Sequence, residues 1–180
     1  MTAPVPAPGL PPRVFDERQR EAHRRLAKLS PGIADMFEDA CRIMTTESSL
    51  RSRSNIVGHL CREIESALHD LVPAPASGSG LPEVTCEACG KITRPPHREK
   101  VVAAMNALAI AVQSDEGAAW LYLVGKLHRL AHRNGLDPTR PLDDEFDKTW
   151  QAFNKALSGV LGRVESNYAK FHEQIDDMFR

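Results

Sequence analysis

The chain has 180 residues, 42% of them hydrophobic and 26% charged, which is the composition of a single globular domain with short appendages and not of a disordered tail. Its 23 basic and 24 acidic residues leave a net charge of −1, so no overall field draws it onto nucleic acid. No run approaches the roughly 18 consecutive apolar residues that a membrane span requires. Four cysteines in a chain with no recognisable export signal predict reduced thiols or a metal site, with the cytoplasm as the expected location. Arginine outnumbers lysine 16 to 7, a bias that fits a GC-rich bacterial genome.

Residues 1–13 are rich in proline and poor in large apolar side chains. Such a stretch cannot offset its ordering entropy by burial, so it is predicted to be a disordered leader to a single helical domain over 14–180. From Phe15 to Leu29 the pattern is helical, anchored by Leu26 and Leu29 beneath a basic outer face. Ser30-Pro31 stops this helix and starts the next, in which Ile33, Met36, Phe37, Ala40 and Met44 recur at three- and four-residue spacing. A third helix is predicted from about Ser49 to Val72, with the stripe Val57, Leu60, Ile64, Leu68 and Leu71. A long loop over 73–95 follows, containing Ser77-Gly-Ser-Gly80 and the pair Cys86-x-x-Cys89-Gly90. Pro95-Pro96 opens a fourth helix running to about Val112. Ser114-Asp115-Glu116 opens a fifth that ends at Asn134-Gly135, and Asp143-Asp144-Glu145 opens a sixth. No alternating stretch of β-branched residues competes with this pattern. The predicted class is all-α, a bundle of five to six helices in which Ile64, Leu68, Leu108, Trp120, Val124 and Phe153 are buried.

Three groups of residues have chemistry to offer. Cys86 and Cys89 on a tight turn form half of a zinc site, which His97 can extend and His128 or His132 can close, because residues four apart share a helix face. The bland alternative is a pair of thiols in a loop. On the third helix, Arg53, His59, Arg62 and Glu63 follow one another at spacings that project His59, Arg62 and Glu63 together, away from the apolar stripe. Such a cluster can bind a phosphate or move a proton, or it can be an ordinary ion-pair face. The third group, His128, Arg129, His132 and Arg133, falls in the last turns of the fifth helix. There it either caps the helix C-terminus or forms an anion site together with the His59 cluster.

The runs Ser52-Arg53…His59-x-x-Arg62-Glu63-Ile64-Glu65 and Leu130-Ala131-His132-Arg133…Pro141…Phe146…Trp150…Phe153 resemble a helical domain of uncharacterised bacterial proteins, some suspected of anti-phage defence. That domain is similar to the HEPN superfamily, and the resemblance spans about residues 15–160. It implies a metal-independent RNase in which an arginine and a histidine four to six residues apart handle the scissile phosphate and the proton transfers. Arg53 and His59 fit that spacing within the resembling stretch, which implies His59 as acid/base and Arg53 or Arg62 on the phosphate, and 2′-hydroxyl attack on RNA would leave a cyclic phosphate.

The last predicted helix, 143–178, carries the longest pattern. Phe146, Trp150, Phe153, Leu157, Val160, Val164, Tyr168, Phe171, Ile175 and Met178 form a heptad-like stripe. At 1.5 Å per residue the helix is about 50 Å long, more than a bundle of this size can cover. Its C-terminal half is therefore expected to pack on the Phe15–Leu29 helix, on a second copy, or on a downstream or partner domain. Self-association is favoured because Gly159 and Gly162 permit a close helix crossing. Three functions follow from the sequence: a helical interaction or dimerisation domain in defence or stress response, a HEPN-like RNase, or a zinc-stabilised binding module.

Overall fold

Helix starts are set by side chains that satisfy otherwise orphaned backbone amides. Asp16 accepts a hydrogen bond from the Gln19 amide at 2.8 Å while the Gln19 side chain accepts from the Asp16 amide, a capping box that opens α1 (Glu17–Leu29). Ser30 adopts an extended conformation, reverses the chain and leads directly into α2 (Pro31–Thr45). Next come α3 (Arg53–Leu71) and α4 (His97–Ala107). The Ser114 hydroxyl accepts from the Gly117 amide at 3.1 Å to open α5 (Asp115–Ala131). The Asp143 carboxylate accepts from the Phe146 amide at 2.8 Å to open α6 (Asp144–Met178). The computed structural model describes the backbone of residues 15–45, 50–71, 84–85, 92–93, 97–131 and 142–178, and the side chains of 15–45, 50–70, 99–131 and 142–168. The leader over 1–13, most of the 73–95 loop and the Asn134-Gly135 stop lie outside the described residues.

The fold is all-α, and five of its helices close a ring. α1 and α2 form an antiparallel hairpin, α3 lies between α2 and α5, and α6 lies between α5 and α1. Contacts along α6 fix the directions. Lys126 of α5 meets Glu145 at 3.3 Å and Glu116 meets Arg163 at 3.2 Å, so α5 runs antiparallel to α6. Phe15 stacks on Phe37, which stacks on Trp150, whereas Lys28 reaches Glu165 at 3.2 Å. The first and last helices are therefore adjacent and parallel. The ring encloses Phe37, Phe153, Leu26, Ile64, Met105 and Leu157, and all six core residues expected from the sequence are buried. Met36, expected in the α2 stripe, is 37% exposed because it falls on the outward side of the α1–α2 hairpin.

Two glycines are required by close approaches. At Gly58 a Cβ would lie 3.1 Å from the Leu130 Cβ, and this is where α3 crosses α5. At Gly117 it would run into the Ala111 carbonyl and come within 2.8 Å of the Met105 methyl. Gly159 and Gly162, expected to admit a second copy, are matched instead to Glu116 and Arg25 of the same chain.

α4 stops at Ala107, five residues short of the sequence expectation. The Ile110 amide bonds back to the Met105 carbonyl at 2.8 Å and the Ala109 amide to Asn106 at 3.0 Å, a terminating turn that holds Ala109 at φ 55°. This turn brings Ile110 into the core. A left-handed alanine costs about 1–2 kcal/mol. Ala109→Gly is therefore expected to raise stability in chemical denaturation by about 0.5–1 kcal/mol, since the strain removed exceeds the entropy added to the unfolded chain. An unchanged or lowered stability would contradict this account of the turn.

The long-loop expectation also needs an amendment. Val84 pairs with Thr93 and Thr85 with Ile92 in an antiparallel ladder of two-residue strands, β1 (Val84–Thr85) and β2 (Ile92–Thr93). These β-branched residues favour extended backbone, so a short hairpin interrupts the loop without altering the class.

Candidate functional site

The polar cluster of α3 sits where this helix meets the ends of two others. Arg53, in its first turn, donates from Nε to the Ile43 carbonyl at 3.1 Å and from a terminal nitrogen to the same oxygen. Its guanidinium thereby caps the last turn of α2. Two residues on, the Asn55 amide donates to the Leu130 carbonyl at 3.2 Å, in the last turn of α5. The first turn of α3 is therefore a bracket for two helix C-termini. The family resemblance implies a phosphate role for Arg53, and in the structure its guanidinium holds the Ile43 carbonyl.

Beyond the bracket, His59 is exposed, and the Arg62 guanidinium lies 3.4 Å from the Glu63 carboxylate on the half-buried to exposed flank. The Gly58–Leu130 crossing places the backbone of His59 beside the C-terminal turn of α5, where His128 is also exposed. His128 lies two residues before Leu130, so its side chain leaves α5 on a different side from the one that meets Gly58. His132 and Arg133, the other half of that expected cluster, lie outside the described residues. So do Cys86 and Cys89. His97 begins α4, but its side chain is outside them too. The β1–β2 ladder pairs Thr85 with Ile92, the described residues on either side of the cysteines in the sequence. Among the described residues, no group of three or more histidine, cysteine, aspartate or glutamate side chains is arranged to hold a metal ion.

Sequence reasoning missed the most unusual titratable pair. Glu65 and His69 are one turn apart on α3, with side chains 1% and 8% exposed and the His69 Nε2 3.0 Å from the Glu65 carboxyl. Burial pushes the Glu65 carboxyl up to about 8, Arg62 opposes this and Glu63 adds to it, so the carboxyl is protonated at neutral pH. The neutral carboxyl spares the core an uncompensated negative charge beside His69. His69 also lines a small cavity with Leu68, Ala104, Met105, Leu108, Ile110, Trp120 and Val160, where α3, α4, α5 and α6 meet. The cavity holds about 10 Å³, room for about one water. The pair was detectable in the sequence. Ser54, Gly58, Cys61, Glu65 and His69 form a row at three- and four-residue spacing beside the apolar stripe, on a helix that must pack against two neighbours.

Contacts with neighbouring helices hold α6 as far as residue 167. Arg25 and Lys28 of α1 hold Glu165 at 3.3 and 3.2 Å, Glu116 of α5 holds Arg163, and the Asn167 amide donates to the Ala107 carbonyl at 3.4 Å. α1 ends at Leu29 and α5 begins at Asp115, so neither helix continues beside α6 past this level. Tyr168 is 44% exposed, and the helical backbone continues to Met178. No helix among the described residues is long and apolar enough to cross a membrane. No protein-family model, curated protein or solved structure matches the chain.

Proposed function

We propose that this chain is a helical interaction domain of a bacterial cytoplasmic protein, and that it self-associates through the C-terminal end of α6. The observation that carries this reading is that α6 outruns both helices that flank it, while its apolar stripe continues through positions 168, 171, 175 and 178. An apolar row at heptad spacing is the surface that another helix covers. The buried free thiols of Cys41 and Cys61 suit a reducing compartment. The HEPN-like resemblance of the sequence is what supports a role in defence or stress response. On that reading RNase chemistry ranks behind association, because the guanidinium of Arg53 donates to the Ile43 carbonyl.

Light scattering coupled to size exclusion tests the proposal. At micromolar concentration the mass is expected to be twice the 19.9 kDa of one chain. Ile175→Asp is expected to return it to one chain without loss of helical circular dichroism. A wild-type chain that stays monomeric up to high micromolar concentration removes the reading.

A further inference from the structure

On the outer surface between α5 and α6 stands an aromatic side chain that the bundle does not use. Tyr122 is 63% exposed, the most exposed large apolar side chain among the described residues. The ties Lys126–Glu145 and Glu116–Arg163 bound this stretch and run it antiparallel, which sets Tyr122 at the level of Ala152. Successive residues of an α-helix are rotated by about 100°. On that rule positions 152 and 156 fall within about 20° of both 145 and 163, on the side of α6 that meets α5. Position 119 falls within about 20° of 126, and 122 about 40° from it, farther from the core. Ala119 and Ala152 are exposed and Ala156 is half-buried. Alanine fills little of the gap between two helices, so the seam is a shallow trough with the Tyr122 ring on its α5 edge.

Such a trough fits one extended stretch of chain. Between the levels of 145 and 163 it is about 27 Å long, and neighbouring helix axes lie about 10 Å apart, which gives roughly 270 Å². A stable interface between two folded chains needs about 800 Å² from each partner. The chain carries a segment of matching chemistry in its leader. Pro4, Pro6 and Pro8 alternate with Val5 and Ala7, and proline-rich segments in the polyproline II form dock on grooves lined by aromatic rings. The route from leader to seam is short. Phe15 stacks on Phe37 at 6.3 Å and Phe37 on Trp150 at 6.1 Å, so the leader joins the bundle near the level of Ala152. α6 lies between α1 and α5, so only α6 separates that point from the seam. The two interhelix spacings total about 20 Å, which the stretch from Phe15 back to Pro8 spans at about 3.1 Å per residue. Pro8-Gly9 is a turn pair, where the chain can swing from crossing α6 to following it. We infer that residues 4–8 occupy the α5–α6 seam of their own chain, with proline rings against Tyr122. Tethering holds them beside it at an effective concentration in about the millimolar range, so a weak proline–tyrosine contact suffices.

Fluorine NMR of the full-length chain tests this, because its only tyrosines are Tyr122 and Tyr168. Fluorotyrosine labels both, and Tyr122→Phe assigns the two signals. Replacing Pro4, Pro6 and Pro8 by serine is expected to move the Tyr122 signal, to the same extent at low and at high micromolar concentration, and to leave that of Tyr168 in place. In the reverse direction, Tyr122→Ala is expected to shift the amide signals of Val5, Ala7 and Gly9. Neither set of substitutions touches the core, since Tyr122 is exposed and the leader precedes the first helix. A Tyr122 signal indifferent to the leader, or one that moves together with Tyr168, overturns the inference. So does a shift that grows with protein concentration, which would assign the seam to the leader of a second copy.

Discussion

Glu65→Gln is expected to stabilise the protein at pH 8–9 and to leave it nearly unchanged at pH 5. The folded state holds the Glu65 proton up to about pH 8, whereas the unfolded chain releases it near the ordinary value of 4.5. Between those values folding takes up a proton, so this group's contribution is complete below about 4.5 and is lost as pH rises through about 8. Each pKa unit corresponds to about 1.4 kcal/mol, which sets a ceiling of roughly 5 kcal/mol. Contact with His69 shares the cost of ionisation, and the expected effect is about 2 kcal/mol. Glutamine keeps a donor for His69 Nε2 and has nothing to ionise. Urea denaturation of both proteins from pH 5 to pH 9 measures the difference directly. If the gap between them does not widen with pH, the buried carboxyl is not neutral.

The largest loss is expected from Phe153→Ala, at about 3–5 kcal/mol. Phe153 is fully buried at the centre of the ring, stacked between Trp120 at 6.4 Å and Trp150 at 6.1 Å. Truncation removes the ring's burial and both aromatic contacts, and it leaves a void that two indoles pinned on α5 and α6 cannot close. Phe153→Leu refills part of that volume and should cost about 1–2 kcal/mol. An alanine variant within about 1 kcal/mol of wild type in denaturant titration would place the centre of the core elsewhere.

How much of this was legible in the sequence depended on how many neighbours each element has. α6 presents one main apolar row to the ring, so its period identified the helix and most of its buried residues, though not Leu161, Asn154 or Thr149 beside the row. α3 is wedged between α2 and α5, and its buried surface is wider than one stripe. The row Ser54–Gly58–Cys61–Glu65–His69 reads as polar surface when only the Val57–Leu68 stripe is counted as core. The fate of Arg53 was illegible for a different reason. Arginine on a helix looks the same whether it faces a phosphate or a carbonyl, and the Ile43 oxygen it caps belongs to another element. The early end of α4 was hidden because alanine rarely adopts the conformation of Ala109, and nothing in its identity marks a stop.

The parallel pairing of the first and last helices has a consequence for the order of folding. The α1–α2 hairpin can form from neighbours in the chain, but the Lys28–Glu165 tie spans 137 residues. A contact of that separation carries the largest loop-closure entropy in the ring, so α6 docks against α1 only after the intervening helices have shortened the loop between them. Until that step, the side of α6 that will meet α1 is exposed on the newly folding chain. The interval before ring closure is therefore when the chain is most prone to pair with the wrong segment of a neighbour.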